Sequence, residues 1–175
     1  MILSLFRKNT ATAPVYAIYN AIVAQSRQSR FYADWGVPDT VTGRFDMISL
    51  HMALLFRALR SDSTKSKAFS QAVFDLFFKD MDRSLREMGA GDLAVPKKIQ
   101  KMGGIFFGLL AALNEALDSQ NADAVAAVLA RNIFDETAIG DVPALASYVM
   151  ACDATLAGQA DENIMAGHVQ FEVAA

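Results

Sequence analysis

Residues 44–60 read RFDMISLHMALLFRALR, and this stretch decides the fold class. An α-helix turns once in about 3.6 residues, so side chains three and four positions apart share one face. Large apolar side chains recur here at those spacings, at Phe45, Ile48, Met52, Leu55 and Leu59. The stretch therefore predicts an amphipathic helix whose apolar face lies in a protein core.

The same periodicity extends to both sides, and no alternating strand pattern interrupts it. Proline at the start and glycine, asparagine or aspartate near the ends mark the boundaries. The predicted helices are 14–28, 44–60, 67–88, 96–119, 122–132 and a sixth that Asp141 caps and that ends before Gly158. We expect an all-α fold, a single compact bundle of about six helices.

Two features of this bundle can be stated in advance. Residues 1–158 should form one helical domain, and residues 159–175 should form a loose C-terminal tail. Glycines at 103, 104 and 108 weaken the fourth predicted helix, since each costs about 1 kcal/mol relative to alanine. We expect them to mark close helix contacts or a bend.

The composition restricts the compartment. The longest apolar run, Met102 to Leu113, is shorter than the roughly twenty residues that cross a bilayer, so no transmembrane segment is expected. Residues 1–6 carry no charge and precede Arg7 and Lys8, whereas a secretory signal begins with charge. A lone cysteine, Cys152, suits a reducing compartment. We expect a cytoplasmic protein.

Charge is distributed unevenly along the chain. Residues 1–101 hold fifteen Lys and Arg against nine Asp and Glu, while residues 102–175 hold one against ten. Such polarity favours directed association with another molecule. The basic residues alternate with acids and form no cluster, so no sequence-specific nucleic-acid partner is expected.

Residues that could carry catalysis or bind a cofactor are few. His51 lies within the predicted helix 44–60, and a haem or quinone carrier would use it, although a helical histidine among apolar residues is usually a hydrogen-bonded structural residue. Asp80 and Asp82 could serve a metal-dependent enzyme acting on a phosphorylated lipid. Residues two apart on a helix point away from each other, which argues against a shared ion. We therefore predict no catalytic, cofactor or metal site.

The segment 31–43 is unusually aromatic for a connecting loop, because it contains Phe31, Tyr32 and Trp35. Aromatic residues and arginine anchor protein interfaces. Loop aromatics also commonly fill a core. The sequence leaves both interpretations open.

Several dispersed motifs in this region and beyond it occur together in one known family. They are Phe31-Tyr32, Val37-Pro38-Asp39-Thr40, Gly43-Arg44-Phe45-Asp46, Leu50-His51, Asp80-Met81-Asp82, Leu85-Arg86-Glu87-Met88-Gly89 and Gly91-Asp92. Through them the chain resembles the ubiquinol–cytochrome c chaperone family over about residues 14–132. One departure is Leu109, where relatives tend to carry arginine.

The resemblance implies an all-helical assembly chaperone, not an enzyme, that assists biogenesis of ubiquinol–cytochrome c reductase. It implies newly made cytochrome b as the partner, near the ribosome or a membrane surface. The length and the lack of a presequence favour a bacterial member, cytoplasmic or peripheral at the inner membrane; a eukaryotic member would lie on the mitochondrial matrix side.

A client-binding surface follows from residue type and family motif together. An apolar client needs exposed apolar side chains bounded by charge. The predicted partner-binding residues are Phe31, Tyr32, Trp35, Val37, Pro38, Asp39, Thr40, Arg44, Asp80, Asp82, Arg83 and Arg86.

Overall fold

A computed structural model describes residues 12–134 and 140–172, and within them the chain forms eight helices. They are α1 (Ala13–Ser26), α2 (Ser29–Ala33), α3 (Val41–Ala58), α4 (Thr64–Glu87), α5 (Val95–Asp118), α6 (Ala122–Asn132), α7 (Val142–Ala157) and α8 (Asp161–Met165). The six longer helices are those predicted from periodicity. The all-α bundle is confirmed.

Helix starts are defined by the expected local chemistry. The side chain of Asn121 accepts hydrogen bonds from the backbone of Asp123 at 2.9 Å and Ala124 at 3.3 Å, and Asp141 accepts one from Ala144 at 3.0 Å. Such caps satisfy backbone N–H groups that have no partner inside the helix. Gly89, with φ of 87°, ends α4 in the left-handed region as predicted.

The helix α3 lies at the centre of the bundle and packs against α1, α5 and α7. Every residue from Met47 to Leu55 is buried, so this helix is enclosed on all sides and not only along one apolar face. The helix α4 packs between α1 and α5, and α6 packs against α5 and α7.

The segment 31–43 is more ordered than the sequence indicated. Ser29–Ala33 forms the short helix α2, and α3 begins at Val41, so the connecting loop spans only residues 34–40. The reason is local: the Thr40 hydroxyl accepts a hydrogen bond from the Gly43 N–H at 3.0 Å and starts α3 three residues earlier than predicted.

The prediction of a loose tail is wrong for residues 159–172. Ile164 in α8 and Phe171 beyond it are buried, and the Phe171 ring meets the His51 ring edge-on at 5.3 Å. Gly167, with φ of 100°, turns the chain so that it lies against α1. Apolar side chains in the tail therefore complete the core. That residues 1–158 fold as a separate domain stays a prediction.

Three expectations concern the remaining parts of the chain. The N-terminal residues 1–11, with Arg7 and Lys8, lie outside the described residues. Across residues 12–134 and 140–172, no helix combines the length and apolar character required to cross a bilayer. Within the described chain no close helix contact occurs at Gly103, Gly104 or Gly108, because a Cβ added at any of them would meet nothing within 4 Å. The alternative of a bend stays a prediction.

Candidate functional site

The structure assigns Phe31 and Val37 to the core. Phe31 is 0% exposed, and its ring lies 5.0 Å from that of Tyr148 and 5.4 Å from that of Trp35. The Val37 N–H donates to the Phe31 carbonyl at 2.9 Å, which folds the loop back onto α2. Neither side chain is available to contact a partner directly in this conformation.

Tyr32 and Trp35 are half-buried and hold the loop in place. The Tyr32 hydroxyl donates to the Ser26 carbonyl at 2.8 Å. The Arg30 guanidinium lies about 5 Å from the rings of Phe31, Trp35 and Tyr148, a stacked arrangement that attracts the cation to each ring. Glu172 in the C-terminal segment forms an ion pair with Arg30. The main role of the aromatic motif in this structure is therefore to join the loop to the surrounding helices.

The backbone of Pro38 makes the closest approach in this region. A Cβ built on Gly43 would lie 1.9 Å from the Pro38 carbonyl oxygen, so only glycine fits there. The same carbonyl accepts a hydrogen bond from the Thr40 N–H at 2.9 Å. Pro38 and Thr40 therefore shape the start of α3.

An open cleft of about 520 Å³ lies on the solvent side of this junction. It is lined by Arg27, Ser29, Tyr32, Ala33, Asp39 and Arg44. Arg44 Nε donates to Asp39 Oδ1 at 2.7 Å, and that hydrogen bond lowers the pKa of the Asp39 carboxyl. Arg27, by contrast, forms no ion pair with any residue of the described ranges. The positive charge at this cleft is therefore only partly neutralised, because Asp39 pairs with Arg44 alone.

The charged motif at the end of α4 adjoins the same side of α1. The Tyr19 hydroxyl on α1 donates to Asp80 at 2.9 Å, and Arg83 forms an ion pair with that carboxylate. Arg86 pairs with Asp82 at 2.6 Å and with Asp92. Asp80 and Asp82 thus have separate partners, and among the described residues no group of three metal-ligating side chains converges.

Arg27 also belongs to this surface. It lines the cleft together with Arg44. Burial raises the pKa of both Tyr19 and Tyr32, and the charge of Arg27 opposes that rise in each. We call Arg27, Arg44 and Arg83 the basic strip. Sequence reasoning missed Arg27 because it lies in the turn after α1 and in no recognisable motif.

His51 is fully buried and engages both ring nitrogens. Nδ1 donates to the Met47 carbonyl at 2.7 Å, so Nε2 accepts a hydrogen bond from the Tyr148 hydroxyl at 2.7 Å. Burial lowers the pKa of His51 to about 4, which keeps the ring neutral at physiological pH. No ring nitrogen is left for haem iron in this structure, and His51 is the hydrogen-bonded structural residue expected of a core helix.

Comparison with known proteins decides the family. The model of the family described as ubiquinol-cytochrome C chaperone matches residues 33–171, most of the chain. The chain belongs to this family.

A solved structure agrees with that assignment. The crystal structure of the Cbp3 homolog from Brucella abortus is 42% identical in sequence, with a TM-score of 0.82. The alignment covers 97% of this chain and 95% of that one. No curated protein matches the chain. As a ubiquinol–cytochrome c chaperone, the protein assists the assembly of ubiquinol–cytochrome c reductase.

The departure at position 109 has a structural consequence in this chaperone. Leu109 is buried on the inner side of α5, where it belongs to the core. An arginine there would have to bring its charge out of the core or find a buried partner. Leucine instead adds apolar packing, so this position makes no polar contact with a partner.

Asp46, in the Gly43–Asp46 motif of the chaperone, gives a pH-dependent prediction. Burial raises its pKa to about 7, whereas the pKa of an aspartate in an unfolded chain is about 3.9. Stability is therefore lost as pH rises from about 4 to about 7, where the unfolded chain ionises and the folded chain resists ionisation. We expect Asp46→Asn to raise the thermal midpoint clearly at pH 8 and little at pH 4, measured by circular dichroism.

His51 titrates in an overlapping range with the opposite effect. Its lowered pKa means that stability is lost as pH falls from about 6.5 towards 4. This contribution is common to both proteins, so comparison at equal pH isolates Asp46. A gain of equal size at pH 4 and pH 8 would show that desolvation of the Asp46 charge is not the cause.

Proposed function

We propose that this chaperone binds newly made cytochrome b through the basic strip and the cleft beside it. The observation that carries the proposal is Arg27, which lines the cleft together with Arg44 and has no ion-pair partner in the described residues. Arginine pairs with carboxylates through two parallel hydrogen bonds, and its side chain is enriched at interface centres. The strip suits acidic residues that flank an apolar client segment.

Apolar surface also lies near Arg44. Val41 is 62% exposed and lies one helical turn before Arg44, and half-buried Tyr32 lines the cleft itself. Apolar surface bounded by charge favours burial of an apolar client while discouraging self-association at this place. Of the residues predicted from sequence, Tyr32, Asp39 and Arg44 line the cleft. Arg83 lies on α4, where it forms an ion pair with Asp80.

We further propose that the protein transforms no substrate and acts on the cytoplasmic side of a bacterial inner membrane. In support, the polar groups of the predicted site are occupied by one another: Asp39 by Arg44, Asp80 by Tyr19 and Arg83, and Asp82 by Arg86. A site of paired charges offers recognition surface but no free acid or base. The similar structure from Brucella abortus supports a bacterial source.

Charge reversal tests the proposed strip. We expect Arg27→Glu and Arg44→Glu each to lower co-purification of cytochrome b about tenfold. A client carboxylate that pairs with the arginine would be repelled by the glutamate. The double variant should abolish capture. Both side chains are exposed, so helicity should not change. Capture is measured by affinity purification from membranes followed by quantitative mass spectrometry.

Arg131→Glu is the matched control, since Arg131 is exposed at the end of α6, which packs against α5 and α7. Unchanged capture by the double variant would reject the strip. Equal loss with Arg131→Glu would indicate a general charge effect. Trp35→Ala is a poor test, because Trp35 packs on Phe31 and Tyr148 and would disturb the fold.

A further inference from the structure

The solvent-facing side of α5 has a regular composition that the chaperone site does not use. Its exposed residues recur at alternating spacings of four and three, which places them in one stripe along the helix. In order they are Lys97, Lys101, Gly104, Gly108, Ala111, Glu115 and Asp118.

The middle of the stripe is a shallow apolar groove. Gly104, Gly108 and Ala111 form its floor, and by helical geometry Ile105 and Phe107 stand on opposite sides of it. Phe107 is 55% exposed and Ile105 is 42% exposed. Large apolar groups in such positions favour covering by another surface.

The glycines have no intramolecular explanation. A side chain at Gly104 or Gly108 would meet nothing within 4 Å, and both residues have unexceptional helical backbone. Glycine weakens a helix interior, so the bundle alone gains nothing from it. Small residues do let a second helix approach with its backbone in close contact.

The charges of the stripe identify the second helix. Lysines occupy its beginning and acidic residues its end, with Gly108 near the middle. If two such helices cross antiparallel about Gly108, Lys101 of one faces Glu115 of the other, and Gly104 lies within one residue of Ala111. Each contact then occurs twice, as in a two-fold symmetric interface. The stripe is therefore complementary in charge to the same stripe on a second copy of the chain.

We propose that α5 is the contact between two copies of this chain, which cross antiparallel about Gly108 with their Lys101 and Glu115 side chains paired. Asp118 contributes less, because it already pairs with Arg57 at 2.7 Å and with Arg60 at 3.4 Å. The contact lies on α5 and uses no residue of the basic strip, in which Arg27 follows α1, Arg44 lies on α3 and Arg83 on α4. It thus goes beyond the proposed binding of cytochrome b, and its tests need no client.

Mass in solution tests the contact first. At a concentration of about 100 μM, the wild-type chain should sediment as a dimer. Gly108→Leu should weaken the dimer at least about tenfold, since a side chain on the floor keeps the backbones apart. The isolated fold has open space at Gly108, so this variant should remain folded. A monomeric wild type would overturn the proposal, including the case in which a client helix covers the groove instead.

Charge exchange tests the orientation. Lys101→Glu and Glu115→Lys should each weaken the dimer about tenfold by placing like charges opposite each other, and the double exchange should restore it. Failure of the double variant to recover would overturn the antiparallel pairing. A merely structural role of either residue predicts no recovery.

A cysteine at the crossing tests the register. The Cα atoms of two Gly108 residues should approach closely enough for a disulfide, which requires about 4 to 7 Å. Gly108→Cys should therefore form a covalent dimer under mild oxidation, while Lys98→Cys, ten residues and about 15 Å along α5 from the crossing, should not. The native Cys152 is buried and should not interfere. Equal cross-linking at both positions would overturn the proposed crossing.

Discussion

Replacing Phe31 with alanine is expected to lower the free energy of unfolding by about 3–5 kcal/mol, the largest effect of any single change considered for this chain. The side chain is fully buried and packs on the rings of Trp35, His51 and Tyr148. Its removal leaves a cavity that α2 and the loop cannot easily fill, since hydrogen bonds hold both in place. Urea denaturation monitored by circular dichroism measures the change.

Leu93→Ala is the control for this experiment. Leu93 is 90% exposed in the turn before α5, so its truncation should change stability by less than about 0.5 kcal/mol. A similar small effect at Phe31 would contradict its placement in the core. The expected loss also means that reduced client capture by Phe31→Ala would report unfolding and not a lost contact.

Gly43→Ala is expected to cost about 3 kcal/mol although it adds only one methyl group. The new Cβ would lie 1.9 Å from the Pro38 carbonyl oxygen, a backbone atom. That carbonyl cannot rotate away like a side chain, because it also accepts the Thr40 N–H at 2.9 Å. Either α3 shifts or the loop opens, and both outcomes disturb the cleft. Thermal and urea unfolding measure the loss.

The matched control uses a helical glycine with room around it. Gly103→Ala places its methyl group in open space within α5 and should stabilise the chain by about 0.5–1 kcal/mol. Opposite signs for the same chemical change would show that the approach of Pro38 causes the loss at Gly43. If both variants stabilise, the junction between the loop and α3 is looser than the structure indicates.

The long helices were predictable because their signals are local. Apolar spacing, the Asn121 and Asp141 caps and the glycine at 89 each act within one or two turns of chain. The short helices α2 and α8 were missed for the same reason: each has only five residues, too few for a period to show. Their stability comes from packing, as at Ile164.

The candidate site was predictable in part. Tyr32, Asp39 and Arg44, which belong to the family motifs, do meet at one cleft. Burial of Phe31 and Val37 could not be foreseen, since an aromatic loop has the same composition whether it faces a partner or the core. Whether these residues bind cytochrome b stays a prediction.

The fold class, the positions of the six long helices and, through dispersed motifs, the chaperone family follow from the amino-acid sequence. Those properties depend on residues close together along the chain or on identity alone. The tertiary structure was needed to show which aromatic residues are buried, that Arg27 lines one cleft with Arg44, and that Gly104 and Gly108 face solvent. Such properties depend on where helices far apart in sequence come to lie, and local periodicity does not encode that.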